Sequence, residues 1–224
     1  NTVDSERILS CLSDAGFTIT NREDEADVII INTCGFINPA KEESINTILD
    51  AAARKKSGAL IAVAGCLSQR YPDDLKREMP EIDILHGVGN HEGFVDEICA
   101  RLGIVKARPY CGGRILTTPP YSAYLRIADG CDNRCTYCAI PLIRGGKRSE
   151  PIESLVDEAK QLADNGVTEL TLIAQDTSAY GTDIYGKPSL GSLLDRIAGI
   201  NALKWIRVLY AYPNTIDEAL IDTM

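Results

Sequence analysis

The chain has 224 residues, of which 45% are hydrophobic and 25% charged, with a formal net charge of −9 at neutral pH. This is the composition of an ordinary globular protein, and no apolar run approaches the roughly 18–20 residues of a membrane-spanning helix. The negative charge argues against a surface that wraps nucleic acid and suits a small-molecule cofactor or a basic protein partner.

The first half of the chain alternates amphipathic helices with continuous apolar strands. The predicted elements are, in order, a helix that begins at Asp4 or Ser5 and ends at Gly16, a strand at 26–32, a helix at 38–57, a strand at 59–64, a short strand at 82–85 and a helix at 91–102. Strands buried on both faces between helices indicate an open parallel sheet covered on both sides, of the flavodoxin-like or Rossmann-like kind. Because such a unit normally begins with a strand, we expect one more strand immediately upstream.

A stretch rich in proline and glycine separates this unit from a second one. We predict an N-terminal domain at 1–108, a linker at 109–121 and a second domain at 122–224. The second domain opens with a strand at 122–128 and continues with helices at 151–165 and 190–200 and strands at 169–174 and 205–210. Repeated strand–helix units of this length are typical of a β/α barrel, here a partial one.

Three cysteines follow the first strand of the second domain with the spacing Cys-x3-Cys-x2-Cys: Cys131, Cys135 and Cys138. A closed zinc or iron–sulfur site takes four protein ligands, so three thiolates leave one coordination position free for chemistry. The loop lies at the carboxyl end of a strand, where barrels and open sheets place their active sites. A structural zinc loop or unrelated buried thiols are the alternative interpretations.

Two further cysteines, Cys34 and Cys66, directly follow the two main strands of the first unit. The carboxyl ends of parallel strands meet at one edge of a sheet, so these thiols are candidate metal ligands that lack a third partner. Ordinary buried cysteines are the alternative. Cys11 has helical spacing to apolar residues and is predicted to pack in the core. Reduced cysteines in a long α/β chain without a secretory signal indicate a cytoplasmic enzyme with no membrane partner.

The cysteine triad and its neighbours resemble the radical S-adenosylmethionine superfamily and, within it, the methylthiotransferases. The matching stretches run the length of the chain: TCGF at 33–36, GCLSQRY at 65–71, DGC at 129–131, CAIPLIRG at 138–145 and IAQDT at 173–177. The wording CAIPLIRG and IAQDT is similar to the branch that modifies an aspartate of small-subunit ribosomal protein S-twelve. The tRNA-modifying branch has CxVPYxRG and GQN instead.

The resemblance implies two 4Fe–4S clusters and S-adenosylmethionine. The cluster at Cys131, Cys135 and Cys138 would bind S-adenosylmethionine and yield a 5′-deoxyadenosyl radical, which takes a hydrogen from the β-carbon of the aspartate. The auxiliary cluster, with Cys34 and Cys66 as ligands, would supply sulfur, and a second S-adenosylmethionine the methyl group. The implied partners are ribosomal protein S-twelve, in or near the small ribosomal subunit, and an electron donor of the flavodoxin or ferredoxin type.

The same resemblance places the third auxiliary cysteine just upstream of the NTVDSE stretch at 1–6, and a TRAM domain after the barrel. We therefore expect the chain to be an inactive fragment of a longer enzyme. Tyr137, Gln175 and Asp176 are candidate cofactor-binding residues, with a packing aromatic and a solvated loop as alternatives. Arg144 is a candidate for binding a carboxylate or for structural pairing. A tRNA methylthiotransferase and a non-catalytic iron–sulfur carrier remain alternative functions.

Overall fold

The computed structural model describes residues 1–224. The chain folds as two compact units, Asn1–Ile115 and Leu116–Met224. The stretch 109–121, predicted as a linker, is divided between them. None of the helices has both the length and the apolar character that a bilayer crossing requires.

The first unit contains five helices and three strands. They are α1 (Thr2–Ala15), β1 (Val28–Thr33), α2 (Asn38–Arg54), β2 (Leu60–Gly65), α3 (Cys66–Arg70), α4 (Pro72–Glu78), β3 (Ile84–Leu85) and α5 (His91–Leu102). The three strands are parallel and lie in the order β1-β2-β3. A parallel sheet needs a crossover between neighbouring strands, and the intervening helices supply it.

The central strand β2 is buried on both faces, and its side chains alternate between two hydrophobic cores. Ala62 and Ala64 belong to the core formed with α1 and α5, whereas Ile61 and Val63 belong to the core formed with α2 and α4. This alternation follows from the two-residue period of a strand. Burial of a side chain of the size of Ile61 or Val63 contributes about 1.5–3 kcal/mol, and the smaller alanines contribute less.

The chain that follows α5 returns along α1. In this return segment (residues 107–115), the backbone N–H of Ala107 donates to Ala15 O over 3.2 Å and that of Ile115 donates to Glu6 O over 3.2 Å. Between them, the N–H of Cys111 donates to Asp14 Oδ2 over 2.9 Å. The first part of the predicted linker is thus a packed part of the first unit.

The second unit contains five strands, five helices and one 3₁₀ turn. They are β4 (Ser122–Arg126), β5 (Ala128–Asp129), α6 (Ile140–Arg144), β6 (Arg148–Ser149), α7 (Ile152–Asp164), β7 (Glu169–Ile173), α8 (Thr182–Tyr185), α9 (Leu190–Ala198), β8 (Trp205–Val208), the 3₁₀ turn Pro213–Thr215 and α10 (Glu218–Thr223). β4, β7 and β8 form a parallel sheet in the order β4-β7-β8, and β5 pairs with β6 in an antiparallel ribbon.

The sheet of the second unit has one apolar face, covered by α7 and α9. Leu125, Leu170 and Leu172 point into this core with side chains from both helices. The opposite face carries polar residues, since Tyr124, Thr171 and Arg207 are in register across the three strands. A parallel sheet with helices on one face and polar side chains on the other is the arrangement of a partial β/α barrel.

The predicted fold class is confirmed. The chain is a mixed α/β protein with two parallel sheets, and within each sheet helices connect the successive strands. The predicted main strands coincide with the observed ones to within two residues. The β5–β6 ribbon and the short helices α3, α6 and α8 were not predicted. Two-residue strands and single helical turns are too short to carry a periodic pattern.

Candidate functional sites

Cys34 and Cys66 lie side by side at the carboxyl edge of the first sheet. Thr33, the last residue of β1, is paired with Gly65, the last residue of β2, so each cysteine is the next residue beyond one register position. Neither thiol forms a disulfide. The sheet therefore brings together the two cysteines that the sequence separates by more than thirty positions.

The two loops at this edge touch through their backbones. Gly65 has φ of 109°, and a Cβ there would lie 2.5 Å from both Asn32 Oδ1 and Thr33 O. A Cβ on Gly35 would lie 2.8 Å from the carbonyl carbon and oxygen of Cys66. Glycine at both positions lets the chains that carry the two thiols approach closely.

Asn1 lies at the same edge. Its Nδ2 donates to Thr33 O over 3.2 Å, and its Oδ1 accepts from Cys66 Sγ over 3.8 Å. Asn32 Nδ2 donates to Asn1 O over 3.0 Å. The amino end of α1 is thereby held next to both cysteine loops, in a position that sequence patterns did not indicate.

Hydrogen bonds fix the Cys34 loop and place the guanidinium of Arg70 beside it. Ser44 Oγ accepts from the N–H of Cys34 over 3.1 Å and donates to Ala40 O over 2.8 Å. Arg70 Nη1 donates to Gly35 O over 3.0 Å. Because Arg70 is four residues after Cys66 on α3, the guanidinium shares a helix face with that thiol.

The second cysteine set lies on the loop between β5 and α6. The N–H of Cys131 donates to Gly145 O over 3.2 Å, and the N–H of Cys138 donates to Cys135 O over 3.0 Å. Gly130 has φ of 75°, and a Cβ there would lie 2.2 Å from Gly146 O. The start of the cysteine loop is thus packed against the chain that leaves α6.

A buried ion pair ties the two sides of this loop together. Arg144 Nη1 donates to both carboxylate oxygens of Asp129, over 3.0 and 3.1 Å. Their side chains are 6% and 15% exposed. A paired, buried arginine stabilises the loop base, and Arg144 therefore has a structural partner of the kind that the sequence left open.

Cys131, Cys135 and Cys138 are free and half-buried, but their side chains are not gathered into a metal-binding group, nor is any other set of three His, Cys, Asp or Glu side chains. Their chemistry nevertheless fits an iron–sulfur cluster, because clusters are held by soft thiolates on short loops. Tyr137, between the second and third cysteines, is 85% exposed, so it is not a packing aromatic.

Gln175 and Asp176, the other candidate cofactor-binding residues, follow β7 and differ in how their side-chain oxygens are hydrogen-bonded. Gln175 Oε1 is buried and has no hydrogen-bond partner. Such an acceptor costs about 1–3 kcal/mol when it stays unpaired, and a donor on a bound molecule would satisfy it. Both oxygens of Asp176, in contrast, accept hydrogen bonds, one of them from Asn133 in the cysteine loop. The contact with Asn133, between residues 43 apart, had no signal in the sequence.

The remaining cysteines have no ligand geometry. Cys11 and Cys99 lie in the core between α1 and α5, where burial raises the pKa of both thiols, and Cys111 is exposed on the return segment. The predicted packing of Cys11 agrees with this position. His91 pairs with Asp4 over 3.1 Å.

Two family models match the chain. Residues 1–87 match the family described as "Uncharacterized protein family UPF0004", and residues 125–224 match "Radical SAM superfamily". The cysteine loop at the end of a barrel-type strand agrees with the second match, so fold and site together define the class as that of the radical S-adenosylmethionine proteins.

Curated relatives narrow the class. The protein named "Ribosomal protein uS12 methylthiotransferase RimO" is 48% identical over 235 residues in Lachnoclostridium phytofermentans, 49% over 243 residues in Pelotomaculum thermopropionicum and 52% over 233 residues in Clostridium perfringens strain SM101. The alignments cover 100%, 100% and 99% of this chain and 53%, 53% and 52% of the relatives, so the chain spans about half their length. The chain belongs to the radical S-adenosylmethionine methylthiotransferase family, in its RimO branch.

Solved structures share the fold at low identity. The radical S-adenosylmethionine methyltransferase TsrM from Kitasatospora setae, solved with tryptophan and a cofactor analogue, superposes with a TM-score of 0.62 at 16% identity. The match covers 100% of this chain and 55% of TsrM. A second TsrM structure, with cobalamin and a 4Fe–4S cluster bound, gives a TM-score of 0.59. These likenesses bear on the fold alone.

Proposed function

We propose that this chain is part of an enzyme that methylthiolates the β-carbon of an aspartate in ribosomal protein uS12. One C–H bond of the substrate is replaced by a C–S–CH₃ group. The observation that carries the proposal is the presence of two separate sets of cysteines that form no disulfide, each at the carboxyl edge of a parallel sheet. The name of the curated relatives supplies the substrate.

Each cysteine set is proposed to hold one 4Fe–4S cluster. Cys131, Cys135 and Cys138 leave one iron free for S-adenosylmethionine. Cys34 and Cys66 are the two ligands that this chain is proposed to give to the second cluster, and Asn1 contacts Cys66 at the same edge of the sheet. When bound, the first cluster and S-adenosylmethionine supply a 5′-deoxyadenosyl radical that removes the substrate hydrogen, while the second cluster supplies sulfur and another S-adenosylmethionine the methyl group.

The protein's own residues position and shield these groups. Gln175 Oε1 is proposed to accept a hydrogen bond from an amino or hydroxyl group of the cofactor, since it is buried and unpaired. Tyr137 is proposed to present its backbone to the adenine, while its side chain extends into solvent. Asp176 has its carboxylate engaged within the chain and serves the cofactor through the loop that it holds.

The proposed partners follow from the reaction. An electron donor of the flavodoxin or ferredoxin type delivers the electron for cofactor cleavage, and ribosomal protein uS12 is reached in or near the small ribosomal subunit in the cytoplasm. A tRNA substrate is the less favoured alternative, because the relatives compared above carry the ribosomal-protein name.

Anaerobic reconstitution of the full gene product tests the two-cluster proposal. We expect about eight irons per chain, and about four in each of the variants C131A/C135A/C138A and C34A/C66A. The first variant loses reductive cleavage of S-adenosylmethionine, because its cofactor-binding cluster is absent. The second still cleaves the cofactor but transfers no sulfur. Saturation of the parent at about four irons, or cleavage that survives loss of the Cys131 set, would contradict the proposal.

A further inference from the structure

Asp176 is a buried carboxylate with a complete set of hydrogen-bond donors. Its side chain is 4% exposed. Oδ2 accepts from Asn133 Nδ2 over 2.8 Å, and Oδ1 accepts from Ser178 Oγ over 2.8 Å and from the N–H of Ala179 over 3.3 Å. A buried carboxylate is stable only when its oxygens are satisfied in this way, so these donors define where the side chain lies.

Asn133 is an exposed residue of the cysteine loop and lies between Cys131 and Cys135. Arg134, the next residue, has φ of 44°, in the left-handed region that non-glycine residues rarely adopt. A backbone turn of this kind persists only where its surroundings hold it. The Asn133 side chain provides such a hold immediately beside the strained residue.

The other contacts of the loop are at its base. The N–H of Cys131 donates to Gly145 O, and Asp132 Oδ1 accepts from the N–H of Lys147 over 3.1 Å. The contact with Asp176 differs because it reaches across to the loop that follows β7. It joins the segment carrying the cysteines to the end of the parallel sheet.

Hydrogen bonds from Ser178 and Thr177 to the chain after β8 hold the loop that carries Asp176. Ser178 Oγ, which donates to Asp176, also accepts from the N–H of Tyr212 over 2.8 Å and contacts Thr215 Oγ1 over 2.6 Å. Thr177 Oγ1 donates to Leu209 O over 2.8 Å. The loop after β7 is thereby fixed to the chain after β8. These two segments together set the position of the Asp176 carboxylate.

We propose that Asp176 is a positioning residue that anchors the Cys131–Cys138 loop to the end of the second sheet through Asn133 and so helps the loop to retain a bound cluster. This inference rests on the proposed function, since it assigns the loop to a cluster. It reassigns Asp176 from contact with the cofactor to support of the ligands. Removing the Asn133–Asp176 hydrogen bond frees the strained turn, so a cluster on this loop is lost more readily.

The test uses the full gene product in the C34A/C66A background, where any bound cluster belongs to the Cys131 set. The rate of iron release to a chelator is measured under anaerobic conditions. We expect N133A to release iron about tenfold faster than the background, which is the ratio that loss of one charge-assisted hydrogen bond gives. N133D should act in the same direction, because it sets two carboxylates against each other.

A reciprocal exchange provides the rescue. In N133D/D176N the amide and the carboxylate change places, the hydrogen bond runs in the opposite direction, and the slow release of the background returns. D183N is the matched control, since Asp183 accepts from the N–H and Oγ of Ser149 over 2.8 and 2.6 Å in the same unit, and its release rate stays that of the background. The electron paramagnetic resonance change on addition of S-adenosylmethionine should be weakened in N133D and recovered in the double variant.

The outcomes separate the two proposals. If the C34A/C66A background binds no iron, the cluster assignment of the Cys131 set is wrong, and this inference falls with it. If the background binds and cleaves S-adenosylmethionine but N133A and N133D release iron within twofold of it, or the double variant fails to rescue, the role of Asp176 alone is overturned.

Discussion

Gly65 ends β2 and lies where the two cysteine loops of the first sheet come together. Its φ of 109° and ψ of −156° lie in a region that is essentially restricted to glycine. The space that a side chain would need is filled by Asn32 Oδ1 and the backbone of Thr33. The close approach of the two cysteine loops therefore depends on the absence of a Cβ at Gly65, as it does at Gly35.

Gly65→Ala should destabilise the protein more than an alanine at an equally twisted but open position. We expect a loss of about 2–5 kcal/mol in the free energy of unfolding, from backbone strain together with overpacking. Gly58→Ala is the matched control, because Gly58 has φ of 83° with nothing within 4 Å of its Cβ position, and it should lose only about 1–2 kcal/mol. Urea unfolding followed by circular dichroism measures both, and equal losses would contradict the steric explanation.

The sequence predicted which residues are candidate ligands better than it predicted the contacts that hold them. The spacing of the triad after Cys131 and the positions of Cys34 and Cys66 at strand ends could be read from one-dimensional pattern. The side chains that support them could not. Asn133 meets Asp176 across 43 positions, and Asn1 meets Cys66 across 65, so only the folded chain reveals them.

Among the elements of the first unit, α1 depends on a partner far away in sequence. Both Nε and Nη2 of Arg114 donate to Glu6 Oε2, and the two side chains are 5% and 0% exposed. The pair joins the return segment to the helix whose first turn reaches the Cys66 edge. Removing one charge of such a pair is destabilising, because the other charge stays buried without the partner that faces it.

Glu6→Gln should therefore cost about 3–5 kcal/mol in the free energy of unfolding, since it leaves the Arg114 charge buried. The double variant E6L/R114M, which removes both charges, should cost less than E6Q alone. Arg22→Ala is the control for a surface ion pair, because Arg22 is 63% exposed, and its effect should be below about 1 kcal/mol. Thermal or urea unfolding gives the comparison. A loss for E6Q no larger than that for R22A would show that the junction does not stabilise the unit.

The main elements could be predicted because their patterns are long. β2 was predicted from a continuous apolar run, and its burial on both faces follows from helices on both sides. The return segment was predicted as a linker because proline and glycine are frequent there. Its packing comes from Tyr110, Cys111 and Arg114, which bind helix residues more than ten positions away and leave no local pattern.

The whole chain is two units, each with its own parallel sheet and its own set of cysteines. The first unit, Asn1–Ile115, contains the Cys34 and Cys66 edge, and the second, Leu116–Met224, contains the Cys131 loop. The family matches follow the same division. One unit is proposed to generate the radical and the other to supply sulfur, so each set should be indispensable for the complete reaction.

Mass spectrometry of ribosomal protein uS12 tests this account most directly. In a strain deleted for the gene, we expect the aspartate to be unmodified, and the full gene should restore the mass of one methylthio group. Genes carrying C131A/C135A/C138A or C34A/C66A should fail to restore it, because each lacks one of the two proposed clusters. A methylthiolated aspartate in the deletion strain, or full restoration by either cysteine variant, would contradict the account.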